Sequence, residues 1–161
     1  IVLSKYAIGL DGLMHYYKTK PSIEEAVIQE SALYQMRENL SNIVPYVSSA
    51  DLGLLSNFTH LGVEGITITA TGFYGPQGRI LRLALQDNDL NNKIESFRHN
   101  QLRVTNLEME TSAIYGLARL LGHKALSMNA IIANRANGTF SKDPYGTVEK
   151  LIKYTLDKLA T

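Results

Sequence analysis

Three short groups of side chains have types and spacings that could do chemistry. Glu108 and Glu110 flank Met109 inside residues 106–122, NLEMETSAIYGLARLLG. If residues 103–107 are extended, a period of two sends both carboxylates to one face and Met109 to the other. Ionised carboxylates only accept hydrogen bonds, so at a strand-to-helix junction they suit a pair of sugar hydroxyls. They would equally suit the positive end of the helix that follows, with no ligand involved. The second group is Gln77 and Arg79, two apart around Gly78. In an extended segment both point the same way, and the glycine lets the backbone approach closely. Gln offers an acceptor and two donors and Arg a rigid fork of donors. Together they match an edge with one N–H between two carbonyls, as in uracil. Phe73, upstream, could offer an aromatic surface to such a ring; the plain alternative is a solvated Gln and Arg. The third group is the end of an apolar run, Ile131-Ile132-Ala133-Asn134-Arg135.

The elements that must position these groups read as alternating strands and helices. Residues 1–9 are rich in Ile, Val and Tyr and predict a strand, closed by the turn signal Leu10-Asp11-Gly12. His15, among tyrosines, is either a site residue or a histidine satisfied by one hydrogen bond. Ser22 and Glu25 form a capping box for a helix running to Asn39. Residues 43–49 predict a short strand with Pro45 near its start or at an edge. A short helix over 51–57 follows, and His60 lies in the next loop. Residues 63–71 alternate as a strand and deliver the glycine-rich loop 72–79; strand ends of open α/β sheets are where ligands bind. Residues 87–100 read as a polar helix and 103–107 as a strand. Ala113, Ile114, Leu117, Ala118 and Leu121 then recur at helical spacing before Gly122. Residues 124–133 read as a further apolar strand. Asp143-Pro144 starts a last helix, with Val148, Leu151, Ile152, Leu156 and Leu159 as its buried stripe.

Composition narrows the function classes. The 161 residues, 45% of them hydrophobic, suit one domain with a sizeable core. With 16 basic and 15 acidic side chains the net charge is +1, which gives no electrostatic case for nucleic acid or an anionic membrane. The chain has no cysteine, so disulfides and thiolate metal sites are excluded. No apolar run approaches the roughly 20 residues of a membrane span, and a cytoplasmic protein is the expectation.

Taken in order, the three groups resemble the nucleoside phosphorylase family, which includes uridine phosphorylases and hexameric purine nucleoside phosphorylases. Glu108-Met109-Glu110 with Ser112-Ala113 resembles the family's ribose-binding signature. Phe73, Gln77 and Arg79 have the spacing of the uracil-binding residues in its uridine-specific branch. Asn134 stands where purine-specific relatives and nucleosidases carry an aspartate, and Asn cannot be a general acid at neutral pH. The resemblance implies an α/β fold in three layers, with a mixed, partly barrel-like central sheet flanked by helices, assembled as a dimer or hexamer. It implies phosphorolysis of uridine to uracil and ribose 1-phosphate, with phosphate as co-substrate and no cofactor or metal. Gln77, Arg79 and Arg135 would stabilise the departing base. Phe73, Ile131 and Ile132 would line its pocket, Met109 would pack on the sugar and Glu110 would take its hydroxyls. Glu108 would either back up the sugar-binding residues from behind or be structural. The family carries a substantial N-terminal portion with the phosphate site, so residues 1–161 are expected to be the C-terminal part of such a domain, inactive alone. The alternatives are a purine nucleoside phosphorylase or nucleosidase of the same fold, or a noncatalytic relative.

Overall fold

Strand β1, Val2–Gly9, lies at the centre of the sheet and is buried along nearly its whole length. It pairs in parallel with β3, Val63–Thr69, which pairs in parallel with β5, Leu102–Glu108. Its other edge is shared: β2, Tyr46–Ser49, runs antiparallel along Tyr6 to Gly9, and β6, Met128–Asn129, covers Val2 and Leu3. The two-residue β4, Arg98–His99, closes the far side against β5. Register shifts between Ser4 and Tyr6 and between Ile66 and Thr67 interrupt both central ladders. Such irregularities raise the local twist, and the mixed sheet curls into a half-barrel, as expected. The structure, a computed structural model, describes residues 1–36, 43–134 and 137–160.

Helices cover both faces, giving three layers. On one face Tyr6, Ile8 and Leu10 of β1 and Ile66 and Ile68 of β3 meet α1, Ile23–Gln35, and α3, Leu90–Ser96. On the other, Leu3 packs on Leu55 and Phe58 of α2, Leu52–Phe58, while Ala7 packs on Tyr115 of α4, Thr111–Leu120. Strands buried on both sides lose the apolar-polar alternation, and the near-continuous apolar run of β1 has that cause. The capping box forms as its residues predict: Ser22 Oγ accepts from Glu25 N–H at 3.1 Å, and Glu25 accepts from Ser22 N–H at 2.7 Å.

Three expectations are corrected. The first helix is described as Ile23–Gln35, and its expected end at Asn39 lies outside the described residues. The polar helix over 87–100 shrinks to α3, because Asn100 adopts a left-handed backbone (φ 53°) and turns the chain into the β4–β5 hairpin. The strand over 124–133 is broken. Only Met128–Asn129 finds a partner on β1, after which β7, Ala133–Asn134, pairs with β8, Thr139–Phe140, as a separate hairpin. An apolar run becomes a long strand only where a ladder partner continues beside it. The last helix, α5, Pro144–Leu159, starts as predicted, with Asp143 Oδ1 accepting from Gly146 N–H at 2.9 Å. Its apolar stripe, however, buries only Leu151; Val148, Ile152, Leu156 and Leu159 are 39–61% exposed.

Candidate functional site at the strand ends

The parallel strands end in register, Gly9 beside Thr69 and Thr69 beside Glu108. The pairing continues one residue further, through Leu10 N–H to Thr69 O at 2.9 Å and Ala70 N–H to Glu108 O at 2.8 Å. The loops leaving β3 and β5 are therefore neighbours, and they carry two of the three groups singled out above.

After β3, residues 75–77 form a single 3-10 turn with Pro76 in its first positions, and Gly78 adopts φ 70°. The chain is therefore not extended between Gln77 and Arg79, contrary to expectation. Their side chains converge nonetheless, because the left-handed glycine folds Arg79 back: Arg79 N–H reaches Tyr74 O at 3.0 Å. Arg79 Nη1 donates to Gln77 Oε1 at 2.8 Å and also to the Phe73 carbonyl. The guanidinium carbon lies 3.4 Å from the centre of the Phe73 ring, close enough for a cation–π contact. Gln77 is buried, and its carbonyl accepts from Asn91 on α3 at 3.3 Å. Phe73, Gln77 and Arg79 thus form one fixed unit.

A cleft of about 1210 Å³ opens beside this unit. Its polar wall holds Thr71, Arg79 and the Lys93–Asp87 pair at 2.9 Å; its apolar wall includes Leu10, Leu81 and Leu85. Among the described residues Arg79 is the expected site residue that lines it; Met109, Glu110, Ile131 and Ile132 lie outside its walls. The sequence reading missed Thr71, Lys93 and the 81–85 segment. Leu81, Leu83 and Leu85 do alternate there, and that was the available signal.

At the end of β5 the two glutamates separate in role. Glu108 faces inward and accepts from Glu110 N–H, Thr111 N–H, Thr111 Oγ1 and Thr69 Oγ1 at 2.7–2.9 Å. Glu110 and Met109 are exposed, and the Glu110 side chain accepts from the N–H of Met109 at 3.2 Å. Beneath them a polar layer continues into the sheet. Asn129 donates to Ser4 Oγ at 3.1 Å, and Ser4 Oγ lies 2.6 Å from Thr67 Oγ1. Burial pushes the Tyr115 phenol up to about 12, so it remains a donor, to Ser4 O at 2.6 Å.

Ile131 and Ile132 lie between β6 and β7, exposed and outside the central sheet. Arg135 lies outside the described residues. His15 is bonded to Val44 O at 2.9 Å and stands edge-on to Tyr46, whose phenol lies 2.8 Å from Ser112 Oγ at the start of α4. Among the described residues no three His, Asp or Glu side chains are placed to hold a metal ion, and no helix is long and apolar enough to cross a membrane.

The sequence pattern of the Phosphorylase superfamily matches residues 1–158. A protein of Thermococcus kodakarensis named uridine phosphorylase is 33% identical over 155 residues, covering 84% of this chain and 53% of that protein. A crystal structure of a Trypanosoma brucei nucleoside phosphorylase, described as showing uridine phosphorylase activity, matches with a TM-score of 0.83 and 26% identity. That match covers 99% of this chain and 57% of the other. The chain thus spans about half the length of the relatives it matches. With the family pattern matched over residues 1–158 and the curled sheet shared, the chain belongs to the Phosphorylase superfamily.

Proposed function

We propose that the protein containing this chain is a uridine phosphorylase, converting uridine and phosphate to uracil and ribose 1-phosphate. The observation that carries this reading is the locked unit of Gln77, Arg79 and Phe73, with Arg79 Nη1 on Gln77 Oε1 at 2.8 Å and the guanidinium carbon 3.4 Å from the centre of the Phe73 ring. In phosphorolysis a phosphate oxygen bonds to C1′ of the ribose while the bond from C1′ to N1 of the base breaks. The bonding pair leaves with the base, and the charge spreads onto its carbonyl oxygens. Donors preorganised for that charge stabilise the transition state more than they bind neutral uridine. Arg79 and Gln77 are assigned this role, with Arg135 in support, Ile131 and Ile132 beside the base, and Glu110 and Met109 at the ribose. Asn134 in place of an acid speaks against purine cleavage assisted by base protonation. The names of both relatives support the same reading.

The activity belongs to the complete protein. We read residues 1–161 as one unit of it, with phosphate held by residues beyond those described, no cofactor, a homo-oligomeric assembly and a cytoplasmic location. The test is phosphate-dependent release of uracil from uridine, with inosine as control. Cleavage of inosine without uridine overturns the proposal in favour of a purine enzyme, and cleavage of neither overturns it in favour of a noncatalytic relative. Arg79→Ala is expected to lower kcat by about 10²–10³-fold, the effect of removing one preorganised donor; unchanged turnover would remove Arg79 from the mechanism.

A further inference from the structure

The first N–H groups of a helix have no partner inside it, and a side chain at the N-cap position ordinarily supplies one. In α4 the N-cap residue is Glu110, yet its side chain makes no capping bond. The capping is done from two residues upstream. Glu108 Oε2 accepts from Glu110 N–H and Thr111 N–H, both at 2.8 Å, and from Thr111 Oγ1 at 2.9 Å. Glu108 Oε1 accepts from Thr69 Oγ1 at 2.7 Å, and the same Thr69 oxygen accepts from Ser112 N–H at 2.9 Å. Three successive helix-start amides are thereby satisfied by β5 and its neighbour β3. Thr69 and Ser112 are fully buried, so the bond between them is shielded from water. Thr111 has one hydroxyl proton and gives it to Glu108. At 3.1 Å, Ser127 is then the donor to Thr111 Oγ1, which ties the start of β6 to the same corner.

We propose that Glu108 is a positioning residue for sugar recognition: it caps α4 in place of Glu110, so that the Glu110 carboxylate is held at the surface and left for the ribose hydroxyls. The inference rests on the uridine phosphorylase reading for its substrate and on the hydrogen bonds alone for the clamp. Three donors converge on Glu108 Oε2 and the Thr69 hydroxyl holds Oε1, so the carboxylate is tied to the turn and its effect on the sugar passes through Glu110. Glu108→Gln keeps the shape but removes the negative charge that the Glu110 and Thr111 N–H groups point at and sets an amide NH₂ toward the Thr69 hydroxyl, which loosens the turn.

The experiment is a double-mutant cycle in the complete protein, with uridine and 2′-deoxyuridine as substrates. Glu110→Gln and Glu108→Gln are each expected to lower kcat/KM for uridine on the order of tenfold or more. Both should affect 2′-deoxyuridine less, and the double variant should be no worse than Glu110→Gln alone. Multiplicative losses, or equal losses for the two substrates, overturn the positioning role. Amide hydrogen exchange in the complete protein reads the clamp without turnover. Glu108→Gln should speed exchange at Glu110 and Thr111 while Ser112, bonded to Thr69, stays protected. Unchanged protection at Glu110 and Thr111 overturns the clamp. If Glu108→Gln loses protection throughout α4, Thr111→Val, which removes one bond to Glu108, and its conservative partner Thr111→Ser replace it. Loss of uridine selectivity in the valine variant, rescued by serine, supports the proposal; equal behaviour overturns it. A wild-type protein that cleaves no uridine ends the uridine phosphorylase reading and the ribose role with it, and exchange then decides the clamp alone.

Discussion

The corner where β5 meets α4 and the limb formed by β7, β8 and α5 contain similar raw material and end in opposite states. Both have a helix with an apolar stripe and a proper N-terminal cap. At the corner every helix-start donor from residue 110 to 112 is bonded to a side chain of β5 or β3, and Tyr115 and Gly116 are buried. In the limb the cap is made by Asp143 within the helix's own first turn, and a single residue, Leu151, is buried. The difference is the number of bonds to distant parts of the chain. Long-range hydrogen bonds and two-sided burial make one region a platform for a site, while local bonds make the other a helix and nothing more.

The comparison can be broken first at the corner's outer tie. Glu25 has no exposed side-chain surface, and it accepts from Ser49 N–H, Ser49 Oγ and Arg119 of α4 at 2.6–2.9 Å. Glu25→Ala should destabilise the fold by about 3 kcal/mol, read as a lowered midpoint in urea. Burial alone would raise the Glu25 pKa, but hydrogen bonds from Ser22, Ser49 and Arg119 outweigh it and hold the group below its ordinary value. The unfolded chain therefore binds this proton more readily than the folded one. The stabilisation is complete above the ordinary glutamate pKa and is lost as pH falls through the lower, folded value. Denaturation midpoints of wild type and Glu25→Ala should converge in that acid window, and a constant gap would count against the tie.

A smaller effect is expected at Gly9, where a Cβ would enter the Tyr46 ring and press on Ser112 Oγ. Gly9→Ala should cost about 1–3 kcal/mol through overpacking, and the same urea titration reports it. The smallest effects separate the limb from the rest. Leu151→Ala should cost about 2 kcal/mol, whereas Leu156→Ala, at 61% exposure, should change stability by no more than about 0.5 kcal/mol. A large loss at Leu156 would show that the limb is packed in solution and erase the contrast.

Much of the corner was legible in residue order. The capping box Ser22–Glu25 and a strand over residues 103–107 follow from local spacing, whereas the bonds that tie Glu108 to the helix start were left open between a structural role and a supporting one. The onward reach of Glu25 to Ser49 and Arg119 was not legible, since those partners are 24 and 94 residues away. In the loop, residue types announced an irregular turn, but the extended geometry assumed for Gln77 and Arg79 was replaced by a fold-back at Gly78 that brings the same two side chains together. The cleft walls at 81–85 went unread because nothing local distinguishes a lining leucine from a core one.

Sequence by itself determined the order of strands and helices, the caps, the three groups with chemistry and the family they resemble, because each depends on neighbours within a few residues. Tertiary structure alone decided which glutamate is tied down and which is presented. It also decided that residues 124–133 break into two short pieces and that the stripe of α5 stays largely exposed. Those outcomes depend on which distant surface lies alongside, and the period of a pattern fixes a direction without naming what stands opposite.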